Sequence, residues 1–218
     1  MDNRKEHYNK KGMYAGYDKN HKERQAEDYY STPTEEVTNI LKTIELDLND
    51  STILEPCAGG GHMVAGVMKY LSDSDIKHWS LYATDIKDRG NVSSIEINTG
   101  NEFDFLSDNY PIKDVDYIIM NPPFSIIEPF VMKSLGIANK GVLMFGRLQF
   151  LESEKRFNNI LKDNPPSDFW VYVDRVACFK NGDLTIKPDS IQAYAWFYWD
   201  LTKPAVETKC HWIRRVGK

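Results

Sequence analysis

Short aliphatic stretches alternate with helical patterns along residues 34–161, and this alternation constrains the fold more than any other feature. Runs with the length and composition of buried strands occur at residues 51–54, 79–84, 115–120 and 141–145. Around them, apolar residues recur at intervals of three and four, which predicts helices at 34–46, 63–71, 127–137 and 152–161. Strands that alternate with helices in this way pair in parallel through right-handed crossovers. The sequence therefore predicts an α/β fold with a mostly parallel, doubly wound sheet.

The composition is that of a globular protein. A chain of 218 residues is long enough for one well-buried α/β domain. No apolar run reaches the roughly 20 residues that span a bilayer, and the first residues, MDNRKEHYNKKG, lack the apolar core of a signal peptide. Cys57, Cys178 and Cys210 do not have zinc-ligand spacing. We therefore expect a cytoplasmic protein without a membrane partner, with reduced thiols and no bound metal.

Charge is distributed unevenly along the chain. The net charge of -5 argues against a globally basic nucleic-acid coat, yet residues 1–24 carry seven Lys/Arg and four Asp/Glu. Residues 1–28 contain little aliphatic material, which predicts a basic, flexible N-terminal arm, and residues 29–218 are predicted to form a single domain. The pattern leaves two roles open for the arm, a solvated terminus or a segment that contacts phosphate.

Two aromatic stretches close the chain. Residues 169–179 and 191–199 are predicted to be strands that pair in antiparallel orientation across a turn at Gly182. The run YAWFYW at 194–199 favours a buried strand over a base-stacking platform, because alternate residues of a strand must face a core.

In a doubly wound sheet, ligands bind beyond the carboxyl ends of the strands, and this rule brings three loops together. The first loop is LEPCAGGG, residues 54–61, where glycines between a strand and a helix allow backbone to approach a ligand closely. The second is Asp85, which can accept both hydroxyls of a ribose, with Ile86 as an apolar surface for an adenine ring. Both loops also have plain structural interpretations, as a turn and as an acid that caps a turn.

A third segment, FDFLSD at 103–108, precedes the strand at 115–120. Asp104 can accept a hydrogen bond from an adenine amino group while Phe105 packs on the ring. The alternative is that Phe103 and Phe105 are core residues and Asp104 belongs to a turn.

The strand at 115–120 runs into Asn121, Pro122, Pro123 and Phe124. The prolines prevent the strand from continuing, since each lacks an N–H and holds φ near one value. An aromatic amine is a poor nucleophile because its lone pair is delocalised, and two acceptors on its hydrogens favour tetrahedral nitrogen and free that lone pair. The oxygen of Asn121 and the carbonyl of Pro122 can be these acceptors. Stacking of a base on Phe124 is worth about 1 to 3 kcal/mol, which helps offset the cost of extruding a nucleotide.

Together these segments resemble the class I S-adenosylmethionine-dependent methyltransferases, and in particular the DNA adenine amino-methyltransferases of the compact kind carried by phages or prophages. NPPF at 121–124 is similar to their catalytic [DNS]-P-P-[YFW] motif, and STPTEEV at 31–37 to the TP motif that precedes the glycine loop. The resemblance implies a Rossmann-like, seven-stranded sheet with an antiparallel C-terminal strand, S-adenosylmethionine as cofactor and DNA as partner. It implies catalytic roles for Asn121, Pro122, Pro123 and Phe124. It implies cofactor contacts from Thr32, Glu55, Pro56, Cys57, Ala58, Gly59, Gly61, Asp85, Ile86, Asp104, Phe105 and Asn121.

The substrate is less constrained than the chemistry. Family members that select a DNA sequence usually carry a separate recognition domain, and little chain follows the catalytic sheet here. N-P-P-aromatic motifs also occur in enzymes that methylate RNA amines or a protein glutamine amide, which is the same planar NH2 group. A catalytically silent nucleic-acid-binding partner of an active methyltransferase is a further alternative, although a pure binding module would need neither NPPF nor Asp85. DNA binding is expected from the basic arm, from the region of Arg147, Lys155 and Arg156, from the 180–190 hairpin or from a partner protein. The sequence carries no signal for an oligomeric state.

Overall fold

The computed structural model describes residues 30–87, 103–180, 192–203 and 207–217. The predicted N-terminal arm at 1–28 and the predicted turn at Gly182 lie outside the described residues.

Seven strands form the main sheet, in the spatial order β3-β2-β4-β5-β8-β6-β9. Two further short strands, β1 and β7, form a separate two-stranded sheet. The strands are β1 Tyr30–Ser31, β2 Ser51–Glu55, β3 Trp79–Ala83, β4 Val115–Met120, β5 Ala138–Arg147, β6 Asp168–Tyr172, β7 Phe179–Lys180, β8 Tyr194–Asp200 and β9 Lys209–Ile213.

Most neighbouring strands of the main sheet run in parallel. Strand β2 pairs in parallel with β3 and β4, β4 with β5, and β6 with β9. Strand β8 is antiparallel to both of its neighbours, β5 and β6. This confirms the predicted seven-stranded, mostly parallel sheet with an antiparallel strand near the C-terminus.

Helices cover the sheet on two faces, because successive residues of a strand point in opposite directions. The main helices are α1 Thr34–Ile44, α2 His62–Asp73 and α3 Ile127–Ile137. In β4, Tyr117 and Ile119 join a cluster that contains the apolar residues of α1 and α2, whereas Ile118 and Met120 join a second cluster with those of α3. The double covering explains why β4 carries buried residues on both of its faces.

The helix predicted at 152–161 is less regular than its pattern suggested. It consists of one α-helical turn, α4 Glu154–Arg156, followed by a π-helical turn at Phe157–Leu161. Short 3-10 turns occur at Phe124–Ile126 and Leu148–Leu151.

The C-terminal strands differ from the prediction in extent. Strands β6 and β8 are antiparallel neighbours as predicted, but β6 ends at Tyr172 and Phe179–Lys180 pairs with Tyr30–Ser31 instead. Strand β9 was not predicted, because it is an edge strand whose residues, apart from the buried Ile213, are half-buried or exposed and so lack a core pattern.

Candidate active site

The predicted ligand loops meet at the carboxyl ends of β2, β3 and β4. Backbone hydrogen bonds connect the first two loops, since the N–H of Thr84 donates to the Glu55 carbonyl and that of Ala58 to the Thr84 carbonyl, both at 2.9 Å. The N–H of Phe103 donates to the carbonyl of Asp85, also at 2.9 Å, and so places the 103–108 segment beside them.

Asp85 contacts the glycine loop directly. One of its carboxylate oxygens accepts from the N–H of Gly59 at 2.8 Å and the other from the N–H of Lys87 at 2.9 Å. A carboxylate has about four acceptor positions, so two remain after these bonds. Gly59 and Gly61 have φ values of 55° and 80°, where a side chain is disfavoured, so the loop needs glycine at both positions. The structure therefore joins the acid and the loop that the sequence paired by spacing.

Glu55 is a buried acid at the base of the glycine loop. Its side chain is 1% exposed, and Oε1 accepts from the backbone N–H and the thiol of Cys57 at 3.0 and 3.1 Å. Among the described residues Oε2 has no hydrogen-bond partner, although it is buried. Burial, together with the nearby charge of Asp85, raises the pKa of Glu55 to about 8. The carboxyl is therefore mostly neutral at pH 7.

The residues around this acid are tightly enclosed. Pro56 and Ala58 are buried and Cys57 is half-buried. Burial and the adjacent Glu55 raise the pKa of the Cys57 thiol well above its usual value, so it is not a nucleophile at neutral pH. The backbone N–H of Asn121 also interacts with this sulfur. Cys57 thus links the glycine loop to the NPPF corner.

The 103–108 segment contributes to the core and to a local turn, which was the alternative to an adenine-binding site. Phe105 is 2% exposed and lies in the core, with ring centroids 5.1 Å from those of both Tyr110 and Phe130. Asp104 accepts a hydrogen bond from the N–H of Leu106 at 3.0 Å, which forms a local turn. Ile86, by contrast, is half-buried directly after Asp85.

Asn121 is held in one orientation at the end of β4. Its Nδ2 donates to the carbonyl of Tyr30 at 2.7 Å and to Oγ1 of Thr32 at 2.9 Å. A carbonyl can only accept, so the amide nitrogen must face Tyr30 and the orientation is not ambiguous. Both donors of the amide are used, and the acceptor Oδ1 therefore points the other way.

The two prolines end β4 and turn the chain. Pro122 is buried and Pro123 is half-buried with φ of -55°. The carbonyl of Pro123 accepts from the N–H of Ile126 at 3.1 Å, and this bond starts the helical turn that leads into α3. The corner is rigid because neither proline can rotate about φ.

Phe124 lies in a group of rings and one guanidinium. Its centroid is 5.6 Å from that of Tyr30 at an interplanar angle of 30°, and 6.0 Å from that of Tyr194. The Cζ of Arg147 lies 4.5 Å from the Phe124 centroid. A base that stacks on Phe124 has to take the place of one of these contacts.

A cavity of about 190 Å³ adjoins this group of rings. It lies between the end of β6 and the start of β8, and its wall includes Tyr172, Arg175, Gln192 and Tyr194. Tyr194 therefore connects the cavity to Phe124. No sequence pattern indicated this cavity, because its wall comes from two segments, 172–176 and 192–194, that are separated in the chain.

Sequence reasoning also missed the contacts of Tyr30 and Tyr194. Tyr30 supplies both the carbonyl that orients Asn121 and a ring on Phe124. Tyr194 was assigned only to a buried strand, which it is, at 2% exposed. These contacts depend on tertiary pairing, and no local pattern signals them.

Within the described ranges, no three His, Cys, Asp or Glu side chains converge as metal ligands would. In the same part of the chain, no helix combines the length and apolar character that crossing a membrane requires.

Comparison with known proteins relates the chain to others by structure alone. No known protein-family profile matches the sequence, and no curated protein matches it. A candidate class I S-adenosylmethionine-dependent methyltransferase from Listeria monocytogenes superposes with a TM-score of 0.60 at 13% identity, over 84% of this chain and 64% of that one. The chain has a methyltransferase-like fold.

Two other solved structures are proteins named for related activities. The modification subunit of a candidate type I restriction enzyme from Vibrio vulnificus superposes with a TM-score of 0.57 at 14% identity, over 87% of this chain and 48% of that one. A candidate RNA methyltransferase from Pyrococcus horikoshii has a TM-score of 0.51 at 16% identity, over 80% and 87% of the two chains. The chain thus spans about half to two thirds of the first two proteins, and the likeness establishes the methyltransferase-like fold.

Proposed function

We propose that this protein transfers a methyl group from S-adenosylmethionine to the exocyclic amino group of adenine in DNA. The observation that carries the proposal is the orientation of Asn121, whose two amide donors are bound by Tyr30 and Thr32. Its acceptor oxygen is thereby presented at the end of β4, next to the glycine loop. A planar NH2 group is the substrate that such an acceptor suits.

The residues beyond β2 and β3 suit the cofactor. Asp85 keeps two acceptor positions for ribose hydroxyls after its bonds to Gly59 and Lys87. Glu55 Oε2 is buried without a partner among the described residues, and a polar group of a ligand would satisfy it. When bound, S-adenosylmethionine supplies an electrophilic methyl group on a sulfonium. We assign the cofactor site to Thr32, Glu55, Pro56, Cys57, Ala58, Gly59, Gly61, Asp85, Ile86, Asp104, Phe105 and Asn121, with Phe105 contributing through its backbone because its ring lies in the core.

The NPPF corner acts on the amine. Asn121 Oδ1 and the Pro122 carbonyl each accept one hydrogen of the NH2 group and so free its lone pair. Pro123 keeps the corner rigid, which means that the acceptors need no reorganisation during the reaction. Phe124 stacks on the target base once a present neighbour of its ring has moved.

Two other substrates present the same group, a base amine in RNA and a glutamine amide in protein. DNA is favoured by the restriction-modification subunit among the structural neighbours, whereas the RNA methyltransferase among them keeps RNA as the second candidate. A catalytically silent binding partner is disfavoured, because such a protein would need neither an oriented Asn121 nor the bond between Asp85 and the glycine loop.

Two substitutions test the assignment by opposite effects. Asn121→Ala removes the acceptor and should abolish methyl transfer while the affinity for S-adenosylmethionine stays within about threefold of wild type, since the cofactor loops are unchanged. Asp85→Ala removes the ribose acceptor and should weaken cofactor binding about tenfold or more. Titration calorimetry with S-adenosylmethionine and transfer of labelled methyl to adenine-containing DNA measure the two quantities.

Asn159→Ala is the matched control, because Asn159 is an exposed amide whose side chain donates to Glu128, at 3.4 Å. It should change neither quantity. Methyl transfer by Asn121→Ala at the wild-type rate would refute the role of the amide, and unaltered affinity of Asp85→Ala would refute the ribose assignment.

A further inference from the structure

Arg147 is the last residue of β5, the strand next to β4 in the sheet. Because β4 and β5 are parallel, Arg147 and Phe124 emerge at the same edge. The guanidinium lies over the Phe124 ring, with Cζ 4.5 Å from the centroid. A cation is therefore held against the ring on which the proposed substrate stacks.

No acidic side chain among the described residues pairs with the guanidinium. In the part of the chain that the structure describes, Arg147 makes no ion pair or side-chain hydrogen bond, and its Nε is buried without a partner. A partly buried charge without a counter-ion is costly, and the contact with Phe124 offsets only part of that cost. Such an arrangement is expected where the counter-ion arrives with a ligand.

Other basic side chains nearby are already engaged. Arg156 pairs with Glu128 at 3.5 Å and donates to the carbonyls of Gln149 and Glu152, so it holds the turn together. Lys155 also pairs with Glu128, at 3.6 Å. Arg147 differs from them, because among the described residues its guanidinium contacts an aromatic ring rather than an acid.

We propose that Arg147 binds the backbone phosphate of the nucleotide whose base stacks on Phe124. This inference rests on the proposed function and narrows its substrate to nucleic acid. A planar guanidinium binds phosphate through two parallel hydrogen bonds, which fixes both distance and orientation. A protein glutamine has no anion at the corresponding place, so an arginine here would bring it no benefit.

The test measures binding, so it does not depend on turnover. The probe is a fluorescent single-stranded oligonucleotide of thymines with one central adenine, followed by anisotropy over a range of salt concentrations. Arg147→Gln should weaken binding about tenfold and reduce the slope of log affinity against log salt by about 0.7, the value for one phosphate contact on a single strand. Arg147→Lys should keep most of the slope but bind more weakly than wild type, since lysine is a point charge.

Lys77→Gln is the matched control. The Lys77 side chain is 70% exposed and precedes β3, so it lies at the amino end of this strand, whereas the site lies at the carboxyl ends. The Lys77→Gln substitution also removes one positive charge, and it should leave the affinity for the oligonucleotide and the salt slope close to wild type. Thermal melting of each variant establishes that the fold is intact, and Arg147→Lys preserves a cation over Phe124 if the glutamine variant does not fold.

The phosphate itself is identified by replacing single linkages beside the adenine with neutral methylphosphonates. Wild type should lose affinity at one linkage, and Arg147→Gln should lose none there, because the contact is already absent. Equal losses for both proteins, or equal binding by Arg147→Gln and Lys77→Gln, would overturn the inference.

The proposed function and this inference fail in different ways. A wild-type protein that binds S-adenosylmethionine but no oligonucleotide, or that methylates a glutamine peptide instead, overturns the phosphate contact and leaves the methyl-transfer chemistry intact. A protein that shows the Arg147-dependent salt slope but binds no S-adenosylmethionine supports the contact and refutes the proposed function.

Discussion

Two neighbouring residues hold the Asn121 amide in one orientation. The carbonyl of Tyr30 and the hydroxyl of Thr32 take both amide hydrogens, at 2.7 and 2.9 Å. If the amide group were reversed, its oxygen would face the carbonyl oxygen of Tyr30, and two acceptors would lie together. The orientation of the acceptor oxygen is thus determined by residues that lie about 90 positions earlier in the chain.

Removing one of these bonds should slow the reaction. Thr32→Val deletes the hydroxyl but keeps the shape, so Asn121 retains only the Tyr30 carbonyl and becomes less well oriented. We expect kcat for methyl transfer to fall about tenfold, which corresponds to about 1.4 kcal/mol. Thr38→Val is the control, because the Thr38 hydroxyl is buried against the Gly66 carbonyl at 3.1 Å and away from Asn121. The two variants should lose similar stability, but a similar loss of kcat in both would contradict the orienting role.

Glu55 should make stability depend on pH. Burial raises its pKa from 4.5 to about 8 in the folded protein. Below about pH 4.5 both states hold the proton, and as the pH rises towards 8 only the unfolded state releases it, so the free energy of unfolding falls. The slope from this group approaches about 1.4 kcal/mol per pH unit.

Urea denaturation between about pH 5 and pH 8 tests this expectation. Glu55→Gln cannot titrate, so its stability relative to wild type should increase steadily as the pH rises. A constant difference between Glu55→Gln and wild type would mean that Glu55 is ionised in the folded state.

Individual residues differed in how well the sequence predicted their environment. Pro122 and Pro123 end β4 as expected, because their effect on the backbone is local. The sequence allows two environments for the Phe105 ring, contact with a ligand or burial in the core, because an apolar ring suits both. The contacts of Tyr30 and Arg147 with Phe124 arise only after β1 and β5 have taken their places, so no local pattern predicts them.

At the scale of elements, α1 and α2 pack unusually closely because α2 carries Gly66. A Cβ at that position would collide with the side chain of Val37 and lie 2.8 Å from the carbonyl oxygen of Thr34. Both partners belong to α1, and one of them is backbone. This contact holds the start of α1, and with it Thr32, against the helix that follows the glycine loop.

Gly66→Ala should therefore destabilise the protein, although alanine is the better helix former by about 1 kcal/mol. Separating the helices should cost about 2 kcal/mol or more after that gain. Lys69→Ala, at an exposed position of the same helix, should change stability by less than about 0.5 kcal/mol. Thermal or urea unfolding compares the two, and a stabilised Gly66→Ala would contradict the close packing.

The elements that the sequence predicted best are the short apolar strands β2, β3 and β4. Their positions agree with prediction within a residue or two, because each carries apolar residues that are buried under the helices. Strand β9 and the β1–β7 ribbon were missed, since their stability comes from pairing with distant segments rather than from a local apolar pattern. The extent of β6 was overestimated because Val173 and Val176 continue its apolar pattern past Tyr172, into a segment that lines the cavity.

At the scale of the whole molecule, the sheet places the loops proposed to bind cofactor and substrate after adjacent strands. The loops after β2 and β3 supply the acids and glycines, the corner after β4 supplies the acceptors, and β5 ends with a cation. This division follows from the parallel strands β2, β3, β4 and β5, which present their carboxyl ends at one edge of the sheet. The sequence sufficed to predict this arrangement, because alternating strands and helices determine which loops share an edge.

The central claim is that the corner at Asn121 activates a planar amine beside a methyl donor, and transfer of labelled methyl tests it most directly. Wild type and Asn121→Ala are incubated with methyl-labelled S-adenosylmethionine and, separately, with duplex DNA, single-stranded DNA, RNA and protein extract. The account predicts label on the adenine amino group of DNA with wild type and none with Asn121→Ala. Cofactor binding by the folded protein without transfer to any of these substrates, or equal transfer by the two proteins, would contradict it.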